Sequence, residues 1–260
     1  MPTDLFEVHR PIGTALPIIA NLPHSGLQVP AEIAACFTEK QRRSLPNSDW
    51  HLQELYDFLP ALGITVMQAN YSRYVVDLNR ALKVPFFGSF WSAVVPEQTA
   101  FKQEIYTQKP TKSEVRSRID QYYTPYHAQL TALLNDAIAH HGKVYLLDLH
   151  SFMGLIDDDV CLGNAKGESC SQRTLDIVEA GFLSGQFQTV KNKVFTGGYI
   201  TRHYGEYDSV EALQIELRYT NYLPDDQLEI EEIPQWQGPK FAQAKDRLKL
   251  VFGSIADLLE

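Results

Sequence analysis

Short apolar runs recur along the chain and are separated by polar stretches that contain glycine or proline. Five of them predict β-strands: residues 16–22, 64–69, 74–78, 143–149 and 212–217. Most carry apolar side chains at successive positions, which is typical of strands buried on both faces of a parallel sheet. The run "KVYLLDL" over 143–149 shows this pattern most clearly.

Apolar residues at helical spacing predict helices between these strands. Ser48 is a natural N-cap, and the leucines after it share one face of a helix that should end at Gly63. These leucines are Leu52, Leu55, Leu59 and Leu62. A longer helix is predicted over about 113–141, with Pro125 kinking or splitting it.

The remaining segments complete an alternation of strands and helices. One helix should begin near Ser171 and the last should cover about 239–259, whereas residues 81–110 and 151–170 are predicted to be loops. Such an alternation predicts a mainly parallel sheet with helices on each side. Because no Gly/Ser-rich linker divides the chain, we expect residues 1–260 to form a single domain.

Composition and charge narrow the classes of protein. The chain has 44% hydrophobic and 21% charged residues and a formal net charge of −9, with no basic stripe of the kind that binds nucleic acid. It has three cysteines, no secretory signal pattern and no run of about 20 apolar residues that could span a membrane. We expect a cytoplasmic enzyme or binding protein that meets any anionic substrate with local arginines or a metal.

Candidate chemical residues lie where ligands bind in open α/β sheets, beyond the carboxyl ends of the strands. His24 follows the first predicted strand, His150 ends the strand over 143–149, Glu216 lies near the end of a late strand, and Asp49 follows Ser48. Two histidines and one carboxylate can hold Zn²⁺ and leave a place for water. Glu216 would then act as the base that takes a proton and returns it to a leaving nitrogen.

Each of these residues could instead have a purely structural role. Asp49 could complement a helix dipole, His24 could be a turn residue, and His150 could be a satisfied histidine at a strand end. Glu216 could pair with an arginine. Cys170 could be a thiol nucleophile, although a buried cysteine without chemistry is the more common case.

Several further polar residues are candidates for binding a substrate. Arg73, Asn79 and Arg80 occur in "SRYVVDLNR", and an arginine can grip a carboxylate with two parallel hydrogen bonds. An ion pair with Asp77 is the alternative reading of these arginines. His203, beside Arg202 in "TRHYG", follows two glycines in a polar turn and could line a pocket.

Seven motifs together resemble the N-formylglutamate amidohydrolase (deformylase) family. They occur in the family's order and cover about residues 7–222: "PHSG", "SDWHLQELYDF", "SRYVVDLNR", "LLDLHS", "LGNAKGESC", "TGGYITRHYG" and "LQIEL". The family is related to the zinc carboxypeptidases. The resemblance implies a three-layer α/β/α sandwich around a mixed, mainly parallel sheet, which agrees with the predicted alternation.

The resemblance also implies a role for each candidate. His24, Asp49 and His150 correspond to the ligands of one zinc ion, with other divalent metals possible, and Glu216 to the catalytic acid/base. Asn79 and Arg80 correspond to residues that hold a substrate carboxylate. Further substrate or oxyanion contacts are implied for Arg202 and His203.

The implied reaction is hydrolysis of N-formyl-L-glutamate to formate and L-glutamate, a step in histidine degradation. Arg73 and Arg80 would hold the two carboxylates of this small dicarboxylate. One region departs: the family has a polar, threonine-rich run after "NR", whereas this chain has "ALKVPFFGSFWSAVVPEQTAFKQEIY". Two alternatives are therefore kept, namely a zinc hydrolase of another N-acyl amino acid or peptide, and a metal-free binding protein of the same fold.

Overall fold

A seven-stranded sheet forms the centre of the computed structural model, which describes residues 4–260. Its strands are β1 (Phe6–His9), β2 (Ile18–Leu22), β3 (Thr65–Ala69), β6 (Val144–Phe152), β7 (Val160–Gly163), β8 (Thr189–Lys191) and β9 (Val210–Arg218). Two further short strands, β4 (Phe87–Gly88) and β5 (Val95–Pro96), pair with each other.

The strand order across the sheet is β1-β3-β2-β6-β9-β7-β8. Neighbours are parallel except for the pairs β1–β3 and β7–β9. The sheet is therefore mixed and mainly parallel, as predicted. β2, β6 and β9 are adjacent, so their carboxyl ends meet at one edge, which is where ligands bind in sheets of this kind.

Helices cover both faces of the sheet. Their bounds are α1 (Ala31–Ala34), α2 (Glu39–Ser44), α3 (Leu52–Leu55), α4 (Lys112–Arg118), α5 (Thr124–His141), α6 (Gln172–Ser184), α7 (Tyr199–Gly205) and α8 (Pro239–Leu259). One apolar core joins α3, α6 and α8 to the sheet, and a second joins α4, α5 and α7 to its other face. The three-layer α/β/α sandwich is thereby confirmed. No helix within residues 4–260 has the length and apolar character needed to cross a membrane.

The predicted helix from Ser48 to Gly63 is much shorter in the structure. His51 is the N-cap of α3, and Leu59–Leu62 form a separate 3-10 helix that Gly63 ends in the left-handed conformation. The side chain of Ser48 accepts no capping bond; its carbonyl instead accepts a hydrogen bond from the Tyr219 hydroxyl at 2.5 Å. The reason is the left-handed conformation of Asn47 and His51, which turns the chain before the helix begins.

The long helix agrees with its prediction and is interrupted near Pro125. A π turn over Ile119–Tyr123 lies between α4 and α5, so that Pro125 falls in the first turn of α5. Proline is tolerated there because its missing N–H is not needed. The loop predicted over 151–170 contains β7, a four-residue strand that was not predicted.

The predicted strand over 74–78 is wrong. This stretch lies within an irregular segment, residues 72–80, whose apolar side chains are nevertheless buried. Its carbonyls bond to side chains instead of a neighbouring strand: His127 Nε2 donates to Leu78 O at 2.9 Å, and the Tyr123 hydroxyl donates to Arg80 O at 2.8 Å. An apolar run does not distinguish a strand from buried irregular backbone satisfied in this way.

Candidate metal centre

Three buried side chains converge at the carboxyl edge of the sheet. His24 follows β2, Asp49 lies in the turn before α3, and His150 lies near the end of β6. One ligand atom from each lies within 4.8 Å of the other two. His150 Nδ1 is 3.0 Å and His24 Nδ1 is 3.8 Å from Asp49 Oδ2, so both rings turn the same nitrogen toward one carboxylate.

The opposite nitrogen of each ring is held by a second carboxylate. His24 Nε2 donates to Asp77 Oδ1 at 2.8 Å, and His150 Nε2 lies 3.1 Å from Asp148 Oδ2. Histidine ligands of metals are usually oriented by such a carboxylate on the outer nitrogen. Sequence reasoning did not assign this role to Asp77 or Asp148, because only the fold brings Asp77 to His24.

Hydrogen bonds fix these two outer carboxylates in turn. Asp148 accepts from the Asn21 amide at 2.9 Å and from the Thr201 hydroxyl at 3.3 Å. Asp77 accepts from Arg73 Nη2 at 2.6 Å, and the arginines around it hold the pKa of its carboxyl well below the usual range despite its burial. Asp77 is therefore charged, and hydrogen bonds hold both carboxylates in place.

Burial and neighbouring charges act differently on the two histidines. Burial, and then the nearby Arg73, lower the pKa of His24 to about 4, and His24 Nδ1 is buried with no hydrogen-bond partner in the described chain. Burial also acts to lower the pKa of His150, but Asp148 and Asp49 outweigh it and raise that pKa well above the usual value. An unpartnered lone pair beside a carboxylate and a second imidazole is a donor set that suits a divalent ion such as Zn²⁺. The cluster therefore suggests a metal site.

Glu216 lies beside this cluster on β9, in register with His150 on β6. Its carboxyl is buried, and Gln214 Nε2 donates to its Oε1 at 2.7 Å. Burial raises the pKa of Glu216 to about 8, with Asp49 adding to the rise and His150 opposing it. A carboxyl whose pKa lies near neutrality can both take and return a proton.

Three predicted substrate-binding residues lie on segment 72–80 and line the same cavity. They are Arg73, Asn79 and Arg80. Asn79 Oδ1 accepts from the Ile200 N–H at 2.8 Å, and its Nδ2 lies 3.1 Å from His150 Nε2. The ion pairs with Asp77, which were the alternative interpretation of the two arginines, are also present. Arg73 and Arg80 approach Asp77 Oδ2 to 2.6 and 3.8 Å.

The long helix fixes segment 72–80 through side chains that sequence reasoning missed. Besides Tyr123 and His127, Arg118 makes long contacts of 3.5 Å to the Tyr74 and Val75 carbonyls. In a regular α-helix, Arg118 and Tyr123 would be about 140° apart around the axis. A π turn takes up about one more residue and brings them nearer to one face. Because this arrangement depends on the π turn, the hydrophobic pattern of the sequence does not predict it.

Two glycines allow close approaches that build the site. A Cβ on Gly26 would lie 2.5 Å from the Asn70 carbonyl carbon, so a side chain there would displace the turn that carries His24. A Cβ on Gly198 would lie 2.3 Å from the Asn79 amide nitrogen. The glycines of "PHSG" and "TGGY" therefore have a steric reason to be glycine.

The cavity that contains the cluster has a volume of about 260 Å³. Its polar lining includes His24, Asp49, Arg73, Asn79, Arg80, His150, Gln214 and Glu216. In the described chain, neither Arg202 nor His203 lines this cavity. Arg202 is exposed and donates to Gly197 O at 3.0 Å and to Thr196 Oγ1 at 2.9 Å, whereas His203 stacks on Tyr199 with ring centroids 5.0 Å apart.

The cysteine alternative finds no support in the geometry. Cys170 is buried, and it is not part of the lining of this cavity as far as residues 4–260 show. Burial raises the pKa of its thiol to about 12. A thiol in that state is a poor nucleophile.

Comparison with known proteins gives the same family as the motifs. A family model described as N-formylglutamate amidohydrolase matches residues 16–223. The N-formylglutamate deformylase of Pseudomonas aeruginosa is 31% identical over 257 residues, which cover 94% of this chain and 92% of that protein. The N-formylglutamate deformylase of Pseudomonas putida is 33% identical over 228 residues, which cover 81% and 83%.

A solved structure supports the relationship in three dimensions. The crystal structure of N-formylglutamate amidohydrolase from Ralstonia eutropha JMP134 superimposes with a TM-score of 0.83 at 26% identity, with 97% of each chain covered. The family match extends over most of the chain, and the relatives align along most of their own length. The chain therefore belongs to the N-formylglutamate amidohydrolase family.

Proposed function

We propose that this protein is a metal-dependent amidohydrolase that splits N-formyl-L-glutamate into formate and L-glutamate. Membership of the family and the activity for which its Pseudomonas relatives are named support this substrate. The observation that carries the proposal is the convergence of His24, Asp49 and His150, with an unpartnered imidazole nitrogen facing a carboxylate. We further propose that residues 1–260 act as one catalytic domain in the cytoplasm.

His24 Nδ1, His150 Nδ1 and Asp49 would hold the ion, for which we propose Zn²⁺. A divalent ion bound there polarises an amide carbonyl and lowers the pKa of water. Asp77 and Asp148 keep both imidazoles in the orientation and tautomer that binding requires. Because the cluster is buried, the charges of these groups are poorly screened and act strongly on the reacting amide.

Glu216 is the group we propose to move the proton. Its carboxylate accepts a proton from the attacking water and delivers it to the amide nitrogen as the C–N bond breaks. Gln214, bonded to Glu216 Oε1, leaves the other carboxyl oxygen of Glu216 for this task. Glu216 lines the same cavity as His24, Asp49 and His150, so its side chain faces the same space as the three proposed ligands.

Substrate orientation is proposed to come from segment 72–80. Arg80 would bind a carboxylate of the substrate, with Arg73 adding to the positive potential and Asn79 setting the wall of the cavity between Arg80 and His150. Direct contacts from Arg202 and His203 remain a prediction. We propose that Arg202 acts instead as a positioning residue, since its bonds hold Thr196 and Gly197, which line the cavity.

Formate release from N-formyl-L-glutamate tests this function. We expect turnover that is lost on chelation and restored by Zn²⁺ or another divalent ion, with about one ion per chain by elemental analysis. Glu216→Gln should keep the ion and lose at least about 10²-fold in kcat, the scale of general acid–base catalysis. Full activity after complete metal removal, or an unaltered kcat in Glu216→Gln, would contradict the proposal.

A further inference from the structure

Large apolar side chains surround the mouth of the cavity. Trp91 and Phe101 are each 57% exposed, Leu155 is 58% exposed and Val194 is 43% exposed, and all four line the cavity. They come from three separate parts of the chain, so no single amphipathic element accounts for them. Eleven large apolar side chains are exposed among residues 4–260, and four of them lie at this one place.

The apolar surface continues below the mouth toward the candidate metal centre. Phe90 is buried, and its ring lies under the guanidinium groups of Arg73 and Arg80, at 4.6 and 5.7 Å from its centroid. Phe152 and Met153 lie two and three residues after His150 along the chain and also line the cavity. A ligand held by the arginines would therefore have apolar walls beside it. Clustered exposed apolar surface of this kind marks a binding site in soluble proteins.

Two arginines supply positive charge beside the candidate metal centre. Apart from histidines, Arg73 and Arg80 are the cationic side chains that line the cavity within the described chain. Both approach the same carboxylate, Asp77, and Arg73 also donates to Asn47 O at 3.0 Å. Asp49, Glu216 and a bound metal ion also contribute to the potential of the cavity, but the group of Arg73, Arg80 and Asp77 by itself has one net positive charge. This charge matches the α-carboxylate that all N-formyl amino acids have in common.

We propose that the site takes N-formyl-L-amino acids with an apolar side chain as a second class of substrate, beside N-formyl-L-glutamate. The inference rests on the proposed amide hydrolysis. Water adds across the formyl C–N bond, and formate and the free amino acid leave, as with glutamate. The α-carboxylate binds at Arg80, and the apolar side chain packs against Trp91, Phe101 and Leu155 in place of the second carboxylate of glutamate.

A comparison of substrates tests the proposal. We would measure kcat/KM of the metal-loaded enzyme with N-formyl-L-glutamate, N-formyl-L-leucine and N-formyl-L-phenylalanine. The leucine and phenylalanine derivatives should reach at least about a tenth of the glutamate value. Values for both that are more than 100-fold lower than that of N-formyl-L-glutamate would overturn the inference and leave the proposed function intact. Absence of hydrolysis for all three would instead contradict the proposed function.

Variants at the mouth of the cavity test which residues bind the apolar side chain of the substrate. The four exposed apolar residues there, Trp91, Phe101, Leu155 and Val194, are called the rim. In Trp91→Ser/Phe101→Ser, the ratio of kcat/KM for the leucine derivative to that for the glutamate derivative should fall about tenfold or more, the scale of small changes in apolar pockets. Leu250→Ser, a change at a 73% exposed leucine of α8 outside this cavity, should leave the ratio as it is. An unchanged ratio in the double variant would refute the assignment of the rim.

Binding measured without turnover gives a second readout. Calorimetry with the Glu216→Gln protein should show that N-formyl-L-leucine binds more weakly after Trp91→Ser/Phe101→Ser is added, by a factor similar to the change in ratio. Equal dissociation constants with and without the rim residues would show that the apolar side chain of the substrate does not contact them.

Discussion

At the scale of single residues, the candidate site depends on how each imidazole uses its two nitrogens. In His24 and His150 the Nδ1 atoms face Asp49, and the Nε2 atoms face Asp77 and Asp148. With a metal ion in place of the proton of His150, the inner nitrogens would offer lone pairs to one point, and the carboxylates of Asp77 and Asp148 hold the outer ones. Metal affinity should therefore depend on the outer carboxylates as well as on the three ligands.

Replacing Asp148 by asparagine tests this dependence, because Asn keeps the shape and removes the charge. We expect the dissociation constant for Zn²⁺ to rise about 10- to 100-fold, as is usual for such outer partners. Competition with a chromophoric chelator measures it. Asp158→Asn, at a half-buried aspartate paired with the exposed Lys193, is the matched control and should bind Zn²⁺ as the unmodified protein does. Equal affinities in the two variants would argue against the role of Asp148.

At the scale of elements, the irregular segment 72–80 carries three cavity residues and is held by the helix over α4 and α5. Tyr123 and His127 bond to the carbonyls of Arg80 and Leu78, on either side of Asn79. The segment thus owes its position to helix side chains rather than to sheet pairing. Loosening the end of the segment at Arg80 should alter substrate binding and leave the three metal ligands in place, because none of them lies on the segment and Asp77, which orients His24, is held separately by Arg73.

Tyr123→Phe removes one of these bonds and retains the ring. A buried carbonyl without its donor costs about 1–3 kcal/mol, and Arg80 should become more mobile. We expect KM for N-formyl-L-glutamate to rise several-fold, with metal content unchanged and kcat altered less. Tyr122→Phe is the control, since within the described chain its hydroxyl has no hydrogen bond to segment 72–80. Loss of metal together with activity would point to a general structural defect instead.

His127 should also make stability depend on pH. Burial lowers its pKa in the folded protein to about 4, whereas an unfolded histidine titrates near pH 6.5. Between these values the unfolded chain binds a proton that the folded chain does not, so stability falls as the pH drops from about 6.5 to about 4.

The variant His127→Gln removes this contribution. The free energy of unfolding from urea titrations should then vary less steeply with pH in that window, by up to about 1.4 kcal/mol per pH unit. His24, whose pKa is lowered in the same direction, is present in both proteins and cancels in the comparison. Parallel pH dependences of the two proteins would contradict the predicted titration of His127.

At the scale of the whole molecule, the order of strands explains why distant residues meet. β2, β6 and β9 are neighbours, and His24, His150 and Glu216 lie at or beyond their carboxyl ends. The rule that ligands bind at this edge was enough to predict these three from the sequence. Asp49 was predicted with them as the carboxylate ligand, and the family motifs imply the same roles for all four residues.

Other parts of the site could not be predicted, because they depend on contacts between remote segments. Asp77 meets His24 only because segment 72–80 leaves the sheet, and its apolar pattern is the same as that of a strand. The hydrogen bonds from Tyr123 and His127 to segment 72–80 depend on the register of a π turn. Hydrophobic periodicity does not indicate that turn. Arg202 and His203 belong to a recognisable motif, but the motif does not reveal that neither side chain lines the cavity in the described chain.

Anomalous X-ray diffraction at the zinc absorption edge, from crystals of the zinc-loaded protein, tests the central claim most directly. We predict one peak per chain, within about 2.3 Å of His24 Nδ1, His150 Nδ1 and an Asp49 carboxylate oxygen. A fully zinc-loaded protein whose peak lies elsewhere, or which shows no peak among these three residues, would contradict the account.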